Sequence, residues 1–400
     1  MNFDPMMSLR MALEDIRILD LTDHWFGPFC TMMLAELGAE VIKIEPTWGS
    51  TGRFASPPLS GGVSYTFHHL NLKKKDMAIN LKDPKGLEIL KELVKRSDVI
   101  VQNFVPGTME RLGLGYDVLK KLNPRIIYAA LSGFGQTGPY SQRGGYAEVI
   151  EAMSGHTRLT GDNVDPKGPP VEMAQAYGDL GPALFSAMSI IAAIRYRDQT
   201  GLGQMIDVAQ FDCMVALNTA ITGYALSGMK LWELRKKDAT RRDWGKIMQT
   251  KDKGWIYVAP WRARAIDKFK KLLNVEEITK EMVEKIVGEM TRDEAINYFL
   301  ELDFPVGPIY HVGEVIKDPQ LKARGMFIEV DHPKAGRITV PNFPVKFSEM
   351  PVENISAAPL LGQNNKEILI KLLGYTEKQI IELEKNGIIA IEKPDNRTIE

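Results

Sequence analysis

The chain has 400 residues, 44% of them hydrophobic, and its 50 lysines and arginines nearly cancel 51 aspartates and glutamates, for a net charge of −1. That length exceeds what one compact core ordinarily holds, so two domains, or one domain carrying an insertion, are expected. The balanced and dispersed charge leaves no footprint for nucleic acid or a membrane surface, and two cysteines, Cys30 and Cys213, offer neither a disulfide framework nor a metal-ligand spacing.

No apolar run approaches the ~20 residues needed to span a bilayer, and no basic segment leads into an apolar core at the start, so a cytoplasmic protein acting on a small molecule is expected. In chain order the pattern begins with IRILDL, residues 16–21, a short apolar strand followed by a turn at DHWFGP. FCTMMLAEL (29–37) has helical periodicity and ends at Gly38, and AEVIKIE (39–45) is a second strand. The theme repeats with strand DMAINL (76–81), helix PKGLEILKELVKRS (84–97), strand DVIVQNF (98–104), a helical stretch over 109–122 and strand RIIYAALSGFG (125–135). Such alternation predicts an α/β fold with a mostly parallel sheet covered on both faces. Ligands of these sheets gather at the carboxyl ends of the strands, here near residues 23–28, 46, 103–107 and 132–138, and no GxGxxG dinucleotide fingerprint follows the first strand.

Further on, MIDVAQ (205–210) reads as a strand and FDCMVALNTAITGYALSG (211–228) as a helix. Residues 230–255 are basic, polar and aperiodic, as a surface crossing or linker would be. A smaller α/β region over 255–312 carries the charged helices KEMVEKIVGEM and RDEAINYFLEL and a strand PVGPIYHV. RGMFIEVDHPKAGRITVPNFPVKFS reads as strands joined by a turn at 332–336, and the helix NKEILIKLLG precedes a helical tail.

One polar residue interrupts a strongly apolar periodic stretch. Asp179, in VEMAQAYGDLGPALFSAMSIIAAIRYRDQTGLGQ (171–204), precedes a helix running to about Arg197 and is placed by this pattern at the N-cap. A carboxylate there caps the helix; kept ionised and exposed, it is also a usable nucleophile. Lys73, Lys74, Lys75 and Lys82 form a local basic patch, and Arg111 lies just inside a helix after NFVPG, where a guanidinium meets a phosphate well. None of the six histidines stands in HExxH or beside a serine or cysteine nucleophile motif, and there is no GxSxG or Walker loop.

Taken together, DLTDHWFGPFCTMMLAELGAEVIKIEP with GSTGR, NLKKKDMAINLKDPKG, VQNFVPGTMERLGLGYDVLKKLNPRIIYAALSGFGQTGPY, the Gly-Asp before its helix, TGLGQMIDVAQFD, PQLKARGMFIEVDHPKAG and PLLGQNN resemble the class III CoA-transferases, in unbroken order from Ile16 to about Leu373. This is the family of formyl-CoA transferase and the carnitine CoA-transferases, in one superfamily with the α-methylacyl-CoA racemases. The resemblance implies a large Rossmann-like domain built from both chain ends (14–225 and 326–400), a linker and smaller inserted α/β domain (226–325), and two interlocked subunits. A homodimer is expected, with a second kind of subunit as the alternative.

By the same resemblance Asp179 is the nucleophile, the partners are an acyl-CoA and a carboxylic acid acceptor, and neither a metal nor a nucleotide cofactor is needed. A carboxylate can attack a thioester because the leaving group is the anion of a thiol of pKa ~8.5. The positions matching the family's CoA-binding residues are Trp25, Phe26, Pro46, Ile79 to Lys82, Asn103, Phe104, Val105, Arg111 and Arg143 to Tyr146. This chain departs from formyl-CoA transferase at Trp25 (glutamine there), Pro46 (arginine) and Ala147 (glutamate), and lacks a tetraglycine loop. Formyl-CoA and oxalate are therefore not the expected substrates; aromatics at 25 and 26 imply a larger or more apolar acyl group. The racemases' histidine falls at Tyr146, a poor base near neutral pH, so racemization is the alternative reading, together with a non-catalytic CoA-binding subunit.

Overall fold

The computed structural model describes residues 11–57, 64–237, 244–351 and 355–391. The chain divides into two compact units, Met1–Ile221 with Ile328–Glu400, and Thr222–Phe327.

The first unit is built on strands β1 (Arg17–Leu21), β2 (Glu40–Glu45), β3 (Lys75–Ala78), β4 (Val99–Gln102), β5 (Ile127–Ser132) and β6 (Met205–Ala209). They form one sheet in the order β3-β2-β1-β4-β5-β6, and every pairing is parallel. This is the doubly wound Rossmann order, whose direction of winding reverses between β1 and β4 and opens a crevice there. Successive strand residues face opposite sides, so Leu19, Leu21, Ile42 and Ile44 enter one core while Ile18, Val41, Val99 and Val101 enter another.

The crossovers are α1 (Phe26–Glu36), α2 (Tyr65–Leu70), α3 (Pro84–Val94), α4 (Thr108–Arg111), α5 (Tyr116–Leu122), α6 (Ala147–Met153), α7 (His156–Val164) and α8 (Tyr177–Thr200), and α9 (Gln210–Leu217) and α10 (Thr219–Ser227) follow β6. Helix α3 shows how sequence makes such an element. The Asp83 side chain accepts from Lys85 N at 2.7 Å, Pro84 opens the first turn, and Ile89, Leu90, Leu93 and Val94 recur at helical spacing and are all buried. Each such side chain contributes about 1.5–3 kcal/mol by leaving water.

Several elements differ from the sequence expectation. The stretch 109–122 is two helices, parted where Gly113 takes φ +68°. The helix expected over 211–228 breaks at Asn218, giving α9 and α10. Helices α6 and α7 were not anticipated: neither carries a long apolar stripe. Helix α8 is long and apolar enough by length and composition to cross a membrane, against the expectation that no run reaches that length; here it packs along α1 and the sheet.

In the second unit β7 (Lys246–Gln249), β8 (Trp255–Val258) and β9 (Val306–Pro308) form an antiparallel sheet. Strand β7 and a helix at Leu231–Lys237 fall where a linker was expected, and the strand expected over 305–312 is only three residues long. Trp244, Phe269, Phe299 and Phe304 pack edge to face at the centre of this unit. In the first unit, strands β10 (Phe327–His332) and β11 (Gly336–Pro341) form a hairpin. The helices Asn365–Leu373 and Glu377–Lys385 return Ile368, Leu369, Ile380 and Leu383 to the core beside α3.

A buried polar network fixes the turn after β1. Asp20 accepts from the Thr31 hydroxyl at 2.7 Å and from Lys74 Nζ at 2.9 Å, with neither charged side chain exposed. Lys74 Nζ also donates to Pro28 O and Asn71 Oδ1, and Lys43 Nζ donates to Thr22 O. Burial favours the neutral Asp20 carboxyl, but Lys74, Lys43 and the two threonine hydroxyls outweigh it and hold Asp20 well below the usual carboxylate range.

Candidate active site

The turns that leave β1 and β4 meet at the crevice. Asp23 N donates to Asn103 Oδ1 at 2.9 Å, and Asn103 Nδ2 returns a bond to Asp23 O at 2.9 Å, so the two turns are clasped together. His24 sits in the left-handed region (φ +61°), and its ring lies edge-on to Tyr146 with centroids 6.0 Å apart. Thr51 Oγ1 lies 3.1 Å from its Nε2.

A cavity of about 180 Å³ opens at this point, lined by His24, Phe26, Asn103, Phe104, Val105, Arg143, Tyr146, Asp179 and Gln210. Its floor is the end of β5, where Gly133 lies against Gly145; a Cβ on Gly133 would come within 2.6 Å of Gly145 Cα. The loop over 143–146 can lie on the strand only because both positions lack a side chain.

Asp179 is the third residue of α8, not its N-cap; Ala176 holds that place and has no capping side chain. The capping work expected of Asp179 is done from α6. Glu151, itself buried, accepts from Gly178 N at 2.8 Å and so satisfies a free first-turn donor. Gly178 presses on α6 so closely that a Cβ would fall 2.5 Å from Ala147 O. That contact accounts for glycine before the aspartate.

The Asp179 carboxylate accepts from the side-chain amide of Gln210, the first residue of α9, and is otherwise turned to the cavity. Its carboxyl is pushed up to about 7, chiefly by burial, then by the charge of Glu148; the Gln210 bond opposes this, and Glu151 adds to it. The exposed, ionised carboxylate expected from sequence is instead partly buried and half protonated near neutral pH. Burial likewise raises Glu151 above the usual carboxylate range.

Of the positions picked out from the sequence, Phe26, Asn103, Phe104, Val105, Arg143, Tyr146 and Asp179 share the one cavity. Trp25, Ile79, Lys82 and Arg111 do not line it. Trp25 is half-buried just before α1. Ile79 is a core residue, buried beside Ile389, so its side chain has no surface to offer a ligand. Lys82 is exposed with Nζ 5.9 Å from the Trp48 ring, and Arg111 is exposed and donates to Thr108 Oγ1 at 2.8 Å. Sequence reading missed Glu151 and Gln210; a glutamine at the carboxyl end of β6, where ligands collect, was the available signal for the second. Among the described residues no three His, Cys, Asp or Glu side chains are grouped as metal ligands.

Fold and crevice together define a doubly wound α/β protein with a partly buried carboxylate, Asp179, in a cavity at the crevice of its sheet. Residues 13–365 match the family model described as CoA-transferase family III, and the chain belongs to that family. Succinyl-CoA:glutarate CoA-transferase of Homo sapiens is 36% identical, covering 94% of this chain and 90% of its own. Formyl-CoA:oxalate CoA-transferase of Streptomyces avermitilis is 31% identical, over 94% of this chain and 99% of its own. The crystal structure of a CAIB/BAIF family protein from Brucella suis superposes with a TM-score of 0.78 at 29% identity, over 90% of this chain and 99% of the other. The chain is thus a CoA-transferase, whose substrates are a CoA thioester and a carboxylate.

Proposed function

We propose that Asp179 carries the transferred groups covalently, first the acyl group as a mixed anhydride and then CoA as an aspartyl thioester. The observation that carries this reading is the position of Asp179: a carboxylate spared from helix capping, facing a cavity at the crevice. One Asp179 oxygen attacks the thioester carbonyl and expels CoA thiolate. The thiolate attacks the aspartyl carbon and releases the donor acid; the acceptor carboxylate then displaces CoA from Asp179, and the thiolate takes the acceptor's acyl group, freeing Asp179. Each step exchanges one acyl bond for another, so no external energy source enters.

Phe26, Asn103, Phe104, Val105, Arg143 and Tyr146 would hold the thioester end of CoA, and Lys82 and Arg111, exposed beyond it, would meet its phosphates. Trp25 stands in the same turn. A short dicarboxylyl-CoA is the donor we favour: two relatives are named for succinyl-CoA with glutarate, and a cavity near 180 Å³ supports a short chain. An aromatic acyl-CoA is the competing donor, supported by Trp25 and Phe26.

Incubation with succinyl-CoA and aromatic acyl-CoAs, hydroxylamine trapping and peptide mapping tests this reading; modification of the Asp179 peptide is expected with one donor and absence with all of them sinks it. The pH dependence follows from the raised carboxyl. Only ionised Asp179 attacks, so kcat/KM is expected to fall about tenfold per unit below a limb near pH 7 and to level above it. His24 and Asp179 share the cavity, which supports proton exchange at the acyl α-carbon as the second reading; deuterium uptake from heavy water without any Asp179 adduct would select it.

We further propose a cytoplasmic homodimer with interlocked subunits and a large domain closed by both chain ends. Leu184, Met188 and Ile191 of α8 are exposed at helical spacing, an apolar stripe that a second copy would cover. A relative from Chloroflexus aurantiacus is named as an alpha subunit, which makes a mixed assembly the competing outcome. Light scattering is expected to give twice the chain mass, and Met188→Glu to shift it toward the monomer; a wild-type monomer overturns the proposal.

A further inference from the structure

We propose that the side-chain amide of Gln210 is the oxyanion donor for attack on the Asp179 carboxyl carbon, and that it fixes which carboxylate oxygen reacts. The inference rests on the reading of Asp179 as nucleophile.

Gln210 is 2% exposed, and its Nε2 has two hydrogens with two acceptors: Gly178 O at 3.1 Å and Asp179 Oδ1. Gly178 O is available for a specific reason. Residue 182, whose N–H would normally bond that carbonyl in the helix, is Pro182 and has none. The amide cannot be reversed, since its oxygen would then face two acceptors. Its Oε1 points instead to Gly145, where a Cβ would stand 3.2 Å away. Pro182, Gly178 and Gly145 therefore hold one N–H of Gln210 on Asp179 Oδ1.

The consequences for the reaction are definite. With Oδ1 held, Oδ2 is the oxygen that attacks the donor thioester and becomes the bridging oxygen of the anhydride. When CoA thiolate adds to the aspartyl carbon, a C–S bond forms, and the carbonyl electron pair moves onto Oδ1, against the Gln210 N–H. Collapse breaks the bond from the aspartyl carbon to Oδ2, which departs in the donor acid. The acceptor carboxylate adds to the same carbon, again placing charge on Oδ1, and expels CoA thiolate. Two of the four steps use the one donor. Its loss belongs to the range seen for single oxyanion donors, about 10²–10³-fold in rate.

An acceptor acid carrying heavy oxygen at both carboxylate positions tests this, with many turnovers in unlabelled water and mass analysis of the Asp179 peptide. In the wild type, one heavy oxygen at most is expected, because Oδ2 is renewed each cycle while Oδ1 stays. Gln210→Leu is expected to lose about 10²-fold in kcat and, with its carboxylate free to rotate, to accumulate two heavy oxygens. Pro182→Ala, which restores a helical donor to Gly178 O, is expected to show the second heavy oxygen with a smaller rate loss. Two heavy oxygens in the wild type, or a Gln210→Leu enzyme that keeps one and turns over at the wild-type rate, overturns the proposal. Turnover with no heavy oxygen in Asp179 overturns the nucleophile reading itself, so the two failures are told apart.

Discussion

Asp179→Asn is expected to remove CoA transfer almost entirely, by at least about 10⁴-fold in kcat, the scale on which loss of a covalent nucleophile acts. The amide preserves the shape of the carboxylate but cannot open the thioester, and among the described residues that line the cavity there is no other carboxylate; Glu151 is committed to Gly178 N. The same change is expected to stabilise the fold. The carboxyl rises from 3.8 to about 7 on folding, so the folded chain holds a proton that the unfolded chain gives up, and stability falls as pH climbs through that interval. At pH 8 the asparagine variant should gain on the order of 1–2 kcal/mol, a figure discounted for the part of the side chain that meets water. Turnover and urea denaturation on the same preparations check both. An inactive variant no more stable than the wild type would refute the electrostatic account of the site; an active one would refute the nucleophile.

Lys74→Met should cost the large unit about 3–5 kcal/mol, the penalty for leaving a buried charge without its partner. Asp20 and Lys74 are both without exposed side-chain surface, and Lys74 Nζ ties β1 to the start of α1 through Pro28 O and to the end of α2 through Asn71. Methionine keeps the stem and loses all three bonds. If charge burial rather than lost packing is responsible, adding Asp20→Leu recovers most of the loss, since a matched apolar pair carries no stranded ion. Denaturation midpoints of the two single variants and the double decide it: additive losses would refute the pair as the source. A fall in activity is also expected in Lys74→Met at temperatures where it stays folded, because Pro28 and Thr22 frame the turn that carries His24 and Phe26.

Much of the parallel sheet is legible in the sequence because its strands are short apolar runs parted by longer periodic ones. IRILDL, AEVIKIE and DVIVQNF match β1, β2 and β4 to within a few residues. Breaks inside helices are less legible. Gly113 and Asn218 interrupt periodic stretches that continue on either side, and only backbone geometry separates a tolerated residue from a terminator. The site follows the same division. Asp179 is conspicuous because a charge in an apolar stretch is rare, but its helical position depends on where α6 meets α8, a contact between distant stretches. Glu151 and Gln210 stay silent because each looks like an ordinary polar residue until the fold places it on Gly178 or Asp179. Ile79 illustrates the opposite case: a position matched through a family pattern whose side chain turns inward to the core.

The residues that hold the Gly178–Asp179 turn, Glu151, Pro182 and Gln210, come from α6, the first turns of α8 and the start of α9, while the link from α7 to α8 over 165–175 is mostly exposed. For protein engineering this separates what can be cut from what cannot. New chain termini opened within that link would leave Glu151, Gly178, Pro182 and Gln210 in place, whereas a graft of the Gly-Asp turn alone into another scaffold would carry the carboxylate without the groups that set its charge and orientation.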